Sequence, residues 1–448
     1  MTLNVNGSRP QIAILVANLP AERDRRVIRE CLSLEANGFD VTVIAPRGDR
    51  SLRTLPGSRG TRLRPYPVFV YGHGVLSYAV EFGWSFLCIA VRLLAEVLSG
   101  RAHAVQVCNP PDVYWPLALL LRALGRPWVF DHHDLCPEVY ASRVGTPNKW
   151  AFRVLRAFEW LTLRTATEVV ATNESFKENA VRRGVAPERV TVVRNGPARG
   201  EIAEPSGTTD PADPGGADHT VVYLGVFGPQ DNVEGAVLAA EELTHRRGRT
   251  GWRLVLAGDG ESMPALRGLA ADRGLTDVVE FTGWLDGRAV DELLRTATVA
   301  IQPDLPTRMN QLSTMAKTVE YLGRGVPVVA VDLLETRRGV GEAGAYVPTG
   351  APAEFAEAID DLLDDPARRG QMRAVGLARF RESLAWEHQA DAYLAVWHRL
   401  LAKRLPHDVA ARALPTGAAA DVATPPAGDD VRAQRPASAE TDSRAATR

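Results

Sequence analysis

The residues of this chain best suited to chemistry lie in a short predicted helix near position 317. This helix carries Lys317 and, three positions later, Glu320. It begins after three residues of a polar loop: Ser313, Thr314 and Met315. Unpaired N–H groups and the positive dipole end at a helix start suit an anion such as a diphosphate. Glu320 lies far enough into the helix to reach a sugar hydroxyl beside that diphosphate.

A second polar group follows a predicted strand that ends at Asp131. His132, His133 and Asp134 come directly after it, so their side chains should lie at the carboxyl end of the strand, on the cleft side. A histidine there can hydrogen-bond a sugar hydroxyl or take a proton. A structural histidine pair and a metal site are the alternatives. Because no second cluster completes a coordination shell, we expect no metal. Glu138 either caps the next helix or lies at an acceptor entrance.

Glycine-rich turns follow the strands of the second half. Gly228 permits a close backbone approach to phosphate, and Gly258 lies in a turn that borders the same region. No Lys or Arg occurs between Tyr223 and Arg246, so Lys317 is the candidate cation for the diphosphate, unless it is only a solvated helix residue. Trp284 lies in a segment suited to a nucleotide base, or else in the core.

Strands and helices alternate along both halves of the chain, which predicts two doubly wound α/β domains facing each other across a cleft. We assign residues 1–200 to a first, acceptor-side domain and 219–381 to a second, nucleotide-sugar-binding domain. Between them, residues 201–218 are rich in Pro, Gly, Thr and Asp and read as a flexible linker. Residues 382–405 form a predicted crossover helix. The tail at 406–448 has few large apolar residues and is predicted to be disordered.

Composition narrows the class of protein. The chain has 448 residues and a net charge of −2, yet residues 1–200 hold about 26 Lys and Arg against about 17 Asp and Glu. That basic half could face anionic lipid, or it could be an ordinary solvated surface. The four cysteines show no C-x-x-C spacing, which fits a reducing compartment. We find no signal peptide, and the apolar stretch at 75–98 is interrupted by charges, which favours a buried helix over an interfacial one.

The order Lys-x-x-Glu-Tyr-x-x-x-Gly-x-Pro-Val-Val from Lys317 resembles the donor-binding signature of the retaining glycosyltransferases of family 4, in its bacterial surface-polysaccharide version. The resemblance spans about residues 10–400 and implies the GT-B fold. It implies that Glu320 holds the ribose hydroxyls and that His133 contacts the donor sugar. His133, Lys317 and Glu320 are then the expected catalytic residues. The family's first Glu of its Glu-x7-Glu motif would fall at position 312, which is Leu here.

The resemblance implies retaining transfer of a hexosyl or N-acetylhexosaminyl group from a nucleotide-sugar, a UDP-sugar in first place. The implied acceptor is a lipid-linked saccharide or other envelope glycan, or a small molecule. No cofactor, metal or nucleic-acid partner is expected, and the sequence indicates no oligomeric state. A nucleotide-sugar epimerase and a non-catalytic nucleotide-sugar-binding subunit are the alternatives. We expect a cytoplasmic protein and leave open a peripheral contact with the inner face of the membrane.

Overall fold

Two parallel β-sheets, one in each half of the chain, form the framework of the molecule. The computed structural model describes residues 9–49, 51–68, 75–144, 146–202 and 219–402. The proposed linker, from residue 203 onward, and the proposed tail lie outside the described residues. The two sheets confirm the predicted α/β class with two Rossmann-like domains.

The first sheet has seven strands in the order β3-β2-β1-β4-β5-β6-β7, and all its neighbours are parallel. Its central strands are apolar and buried on both faces, as the β-branched runs require. The strands are β1 (Gln11–Leu15), β2 (Asp40–Ile44), β3 (Arg62–Leu63), β4 (Ala104–Cys108), β5 (Trp128–His132), β6 (Glu168–Ala171) and β7 (Val190–Val192).

Six helices cover the two faces of this sheet. Asp24 and Asn148 cap the first and fifth helices by accepting hydrogen bonds from backbone N–H groups of the first turn. The helices are α1 (Arg25–Ala36), α2 (Val75–Leu98), α3 (Trp115–Ala123), α4 (Cys136–Val144), α5 (Lys149–Thr165) and α6 (Glu174–Arg182).

The second sheet has six parallel strands in the order β10-β9-β8-β11-β12-β13. In both sheets the strand order reverses direction at a central strand, and that switch point opens a crevice at the carboxyl ends. The strands are β8 (His219–Leu224), β9 (Trp252–Ala257), β10 (Val279–Gly283), β11 (Val299–Gln302), β12 (Val328–Val331) and β13 (Gly344–Val347).

Helices of the second half lie on both faces of this sheet and then return to the first domain. They are α7 (Val233–Glu241), α8 (Met263–Asp272), α9 (Gly287–Thr296), α10 (Arg308–Leu312), α11 (Ala316–Gly323), α12 (Leu334–Val340), α13 (Pro352–Asp364), α14 (Pro366–Arg379) and α15 (Trp386–Leu401).

The predicted crossover helix is interrupted near its start. A π-helical turn at Phe380–Leu384 and an extended Ala385 precede α15, so the regular helix begins at Trp386 rather than at residue 382. α15 packs its aromatic side against the first domain: Trp386 Nε1 donates to Ser33 Oγ at 3.0 Å. Burial of these rings against α1 explains why the chain crosses back.

None of the helices in the described part of the chain is both long and apolar enough to cross a membrane. α2 spans the predicted range 75–98, and its inner side is buried against the first sheet. Its outer side carries exposed apolar residues, which corrects the expectation of a buried helix. The four cysteines are all free.

Candidate functional site

The two domains contact each other beside the carboxyl ends of their sheets. Asn173, which caps α6 of the first domain, donates from Nδ2 to the Leu312 carbonyl at 2.8 Å and to Thr314 Oγ1 at 3.2 Å. Nearby, the buried Glu335 carboxylate of the second domain accepts hydrogen bonds from Ser175 N and Oγ at 3.0 and 2.7 Å. The loop before α11 therefore faces the strand ends of the first domain.

Lys317 lies in the first turn of α11 and is buried among acidic and phenolic groups. Its Nζ donates to Asp304 at 3.2 Å and to Tyr223 Oη at 3.1 Å. Asp231 lies further away, at 3.7 Å from the same nitrogen. The ammonium also sits 4.5 Å from the centre of the Tyr223 ring. Lys317 is thus an ion-paired residue near the carboxyl ends of β8 and β11. The interpretation of Lys317 as a solvated helix residue is wrong.

The acids around Lys317 determine its charge. Burial alone would lower the pKa of Lys317, but the Asp304 carboxylate, with Tyr321 and Asp231, outweighs it and leaves the pKa raised. Burial raises the pKa of Asp231, against the attraction of Lys317 and with the help of Asp304. Lys317 therefore stays charged at neutral pH. Its contact with Asp231 is longer than those with Tyr223 and Asp304, so an arriving anion would displace Asp231 most easily.

Glu320 lies one turn further along α11, where it pairs with a buried arginine. Arg324 Nη1 donates to Glu320 Oε2 at 2.6 Å, and Arg324 Nε donates to Asp291 Oδ1 of α9 at 2.7 Å. Two carboxylates share one guanidinium, so the Glu320 carboxylate is fixed and partly neutralised. The bond to Arg324 is made through Oε2 alone.

Close packing of the backbone explains why glycine occurs in the turns of the second domain. A Cβ on Gly258 would come within 1.7 Å of the Gly225 carbonyl oxygen, so these two turns can approach only as glycines. Gly228 donates its N–H to Asp231 Oδ2 at 3.2 Å. Trp284 is exposed just after β10, so the alternative that it belongs to the core is wrong. These turns line the carboxyl edge of the second sheet.

The loop before α11 differs from the expected polar loop. Residues 308–312 form α10, and Ser313 caps its end by donating from Oγ to the Met309 carbonyl at 2.8 Å. Met315 occupies the N-cap of α11 without a side-chain hydrogen bond. Leu312 packs against the core of the first domain. An apolar residue replaces the family's first Glu because this position makes an interdomain contact here.

His133 lies at the end of β5 in a buried ionic cluster. Its Nε2 is 2.5 Å from Asp131 Oδ2, and Arg26 Nη2 and Nε donate to both Asp131 oxygens at 2.8 and 3.1 Å. Burial would lower the pKa of His133, but Asp131 raises it overall. Burial would raise the pKa of Asp131, but Arg26 and His133 hold it well below its usual range. The position of the His133 ring is therefore set by Asp131.

This cluster extends to the crossover helix. Gln106 Nε2 donates to Asp131 Oδ2 at 3.2 Å and to Glu30 Oε2 at 2.7 Å, and Tyr393 Oη of α15 donates to Gln106 Oε1 at 2.6 Å. We call these groups, together with Arg26 and His133, the β5 cluster. Arg26, in the first turn of α1, is buried and belongs to this cluster.

A metal could in principle use the same groups. Ligand atoms of Cys108, Asp131 and His133 lie within 4.8 Å of one another. However, Arg26 occupies both Asp131 oxygens, and burial raises the pKa of the Cys108 thiol so that a thiolate is disfavoured. The donor set is thus poorly suited to a cation. The structural role of Asp131 accounts for the cluster.

His132 and Glu138, two other polar residues near the end of β5, make contacts within the protein. His132 is buried and stacks between Phe130 and Phe176, and burial, with His133, lowers its pKa to about 3. Glu138 lies in the first turn of α4, where its Oε1 is 3.4 Å from Arg308 Nε of the second domain. Glu138 therefore forms an interdomain ion pair, an outcome that neither of its two earlier interpretations included.

The sequence did not show several contacts that the fold makes at this cleft. Asp304 stands out in the sequence as a polar residue of the loop after β11, but its pairing with Lys317, thirteen residues later, does not. Asn173 and Glu335 come from different domains. The only sequence signal is that each polar residue lies just after a buried strand or opens a helix, which many loop residues also do.

Two Rossmann-like domains with polar groups at facing strand ends are the architecture of the GT-B fold. Two family models match the two halves. "Glycosyl transferase 4-like domain" covers residues 25–196, and "Glycosyl transferases group 1" covers residues 218–365. The chain is therefore a GT-B glycosyltransferase of the family 4 type.

The proteins similar to this chain are named for different sugar transfers. The chain is 29% identical over 319 residues to an α-D-kanosaminyltransferase of Streptomyces kanamyceticus, covering 67% of this chain and 79% of that protein. It is 26% identical over 405 residues to a glycogen synthase of Mycobacterium tuberculosis, covering 85% and 91%. The solved structure of Anabaena HepE with UDP-glucose superposes with a TM-score of 0.62 at 17% identity, covering 88% and 99%. At that identity the superposition supports the fold alone.

Proposed function

We propose that this glycosyltransferase moves a sugar from a UDP-sugar to a lipid-linked saccharide or other glycan of the cell envelope, with retained configuration and without a metal. One observation carries the proposal. The loop that leads into α11 is hydrogen-bonded to the first domain through Asn173, so Lys317 and Glu320 lie at a cleft whose other wall carries the end of β5.

The donor would lie against the second sheet. Its diphosphate would meet the start of α11 and Lys317, replacing the long contact between Lys317 and Asp231. The ribose would donate to the Glu320 carboxylate that Arg324 holds, and the base would stack near the exposed Trp284. UDP-glucose in HepE, a protein of similar fold, supports UDP as the first nucleotide to test.

The chemical step would need charge stabilisation more than a nucleophile. The departing diphosphate gains negative charge as the glycosidic bond breaks, and Lys317 with the α11 dipole would stabilise that charge. His133 would hydrogen-bond the donor sugar, with Asp131 fixing its ring. Domain closure would exclude water and limit hydrolysis. The envelope acceptor follows from the motif resemblance, since the named relatives act in other contexts.

The test is thermal stabilisation of the full chain by UDP, GDP, ADP and TDP and their sugars, with and without EDTA. A ligand that binds the native state raises the melting temperature. We expect a shift with UDP-sugars that EDTA does not change and that Glu320→Ala abolishes. A larger shift with another nucleotide would replace UDP, and sensitivity to EDTA would remove metal independence. Conversion of the donor to a second sugar without acceptor would favour the epimerase alternative.

A further inference from the structure

α2, α3 and α5 lie on one face of the first sheet, where they share a buried core with α6. Phe86 of α2 stacks on Tyr114 at the start of α3 with ring centres 5.7 Å apart. The residues that the first three helices bury there include Cys88, Ile89, Leu93, Leu117, Leu121 and Leu163. Because all three helices turn their inner sides to the same sheet face, their outer sides form one continuous side of the domain.

The outer side of α2 is apolar. Five exposed residues, spaced four, three, four and seven positions apart, fall on one stripe of the helix. Leu87 and Val91 expose 56% and 60% of their surface, and Leu98 exposes 83%. The stripe consists of Val80, Trp84, Leu87, Val91 and Leu98. A helix that only covered a core would carry polar residues at these positions.

The neighbouring helices continue this apolar surface. α3 exposes Leu119 and Leu120, and Leu124 follows at its end. α5 exposes Trp160 and, at its start, Trp150, which is 73% exposed. We call the outer side of α2, α3 and α5 the outer face. Contiguous exposed apolar residues on this scale mark an interaction site.

The charges of the outer face have one sign. The exposed cations on α3 and α5 are Arg122, Lys149, Arg153, Arg156 and Arg164. Arg164 lies 5.8 Å from the centre of the Trp160 ring. The acids of the same helices lie elsewhere: Glu96 and Glu159 are buried with arginine partners, and Glu81 is half-buried. An anionic partner would therefore meet cations here without matching repulsion.

Tryptophan and leucine mixed with Arg and Lys are suited to the boundary between lipid headgroups and acyl chains. We propose that the outer face docks the protein on an anionic lipid bilayer. Its apolar side chains would enter the boundary layer while the cations bind headgroup phosphates. Protein–protein interfaces place a polar rim around a core that is depleted in Lys, whereas here Lys149 adjoins Trp150.

The position of the outer face fits the proposed acceptor. In a parallel sheet each connecting helix starts near the carboxyl end of the preceding strand, so the starts of α2 and α5 lie towards the cleft. Trp150 belongs to the first turn of α5, and Trp84 lies in the first half of α2. A protein docked through this face would present the cleft near the headgroups. Only this relation to a lipid-linked acceptor rests on the proposed function; the docking itself does not.

The experiment is co-sedimentation of the full chain with vesicles of phosphatidylcholine, with and without phosphatidylglycerol. We expect binding to vesicles that contain phosphatidylglycerol and a decrease with added salt. Leu87→Glu with Val91→Glu, and separately Arg153→Glu with Arg164→Glu, should each weaken binding at least about tenfold. The matched control is Arg246→Glu with Arg288→Glu, two exposed arginines on helical segments of the second domain, which should change binding less than about twofold.

Three outcomes would overturn the docking proposal. In the first, the wild-type chain binds neither kind of vesicle. In the second, the outer-face variants bind as well as the control does. In the third, no vesicle binding is found and the wild-type chain is a dimer, whereas Leu87→Glu with Val91→Glu is a monomer, which would make this face an interface between copies. Sedimentation velocity gives the oligomeric state. Thermal unfolding with UDP on the same samples shows that each variant is folded, and it separates the two proposals. An intact UDP shift without vesicle binding removes docking alone, and vesicle binding without any nucleotide shift removes the donor proposal alone.

Discussion

Each domain holds a cation between carboxylates near its strand ends: Arg26 in the β5 cluster and Lys317 in the second domain. The two cations differ in how fully their hydrogen bonds are taken up by neighbouring groups. In the β5 cluster Arg26 is bonded by both Asp131 oxygens and also donates to the Val193 carbonyl and Asn195. Around Lys317 two donor contacts are short, and the third, to Asp231, is long.

This difference indicates a structural role for the β5 cluster and a ligand-binding role for Lys317. Each nitrogen of the Arg26 guanidinium already donates to a protein group, so the β5 cluster is suited to position His133 and to tie α15 to the first sheet through Tyr393. Lys317 can exchange its weakest contact for a phosphate oxygen at little cost. Substitutions in the β5 cluster should therefore reduce stability, and substitutions around Lys317 should reduce donor affinity.

The largest effect should come from Arg26→Met. This change leaves Asp131 buried without its main cation, and removing one partner of a buried ion pair costs about 3–5 kcal/mol of unfolding free energy. Denaturant unfolding followed by circular dichroism measures the loss. Arg23→Met, at an exposed neighbouring position, is the control and should change the value by less than about 0.5 kcal/mol. Equal stability of the two variants would contradict the supporting role of the cluster.

The comparison is sharpened by Lys317→Met. Loss of a charge-assisted contact of about 1.5–3 kcal/mol to a phosphate should raise the Kd for UDP by about 10-fold to 150-fold, as measured by calorimetry. The control is Arg337→Met, which removes an exposed cation paired with Asp332 after the next strand. An unchanged Kd in Lys317→Met would place the diphosphate elsewhere.

His133 should give the β5 cluster a pH dependence. Its folded pKa is raised by Asp131, so its stabilising contribution is complete below the unfolded pKa of about 6.5 and is lost as the pH rises through the folded pKa. Asp131, with its lowered pKa, stays ionised throughout this window. The stability difference between wild type and His133→Gln should therefore be larger near pH 6 than near pH 9. A difference independent of pH would show that the ring is not protonated in the fold.

The smallest effect is expected for Arg324→Met. Glu320 would keep its place in α11 but lose the guanidinium that orients its carboxylate. We expect the Kd for UDP to rise by about threefold to tenfold, corresponding to roughly 1 kcal/mol. Arg288→Met, which breaks an exposed pair on α9, is the matched control. A loss as large as that of Lys317→Met would mean that Arg324 itself contacts the donor.

Local sequence patterns predicted most of the framework. The sequence pattern predicts a helix over Lys149–Thr165 and a strand over Trp252–Ala257, and both have these bounds in the structure. Their apolar periodicity and their capping or glycine boundaries are local. The short helix α10 was missed, since five residues show no clear period. The π-helical turn before α15 was missed because the pattern around it still reads as helical.

The sequence by itself determined the fold class and the positions of Lys317, Glu320 and His133 after strands or in a helix start, because strand alternation and helix boundaries depend on neighbouring residues. Only the tertiary structure decided what these groups contact. The pairing of Lys317 with Asp304, of His133 with Asp131 and Arg26, and of Leu312 with the first domain joins residues that are distant in the chain or lie on different elements. Such pairs depend on how the sheets and helices pack, and no local pattern encodes that packing.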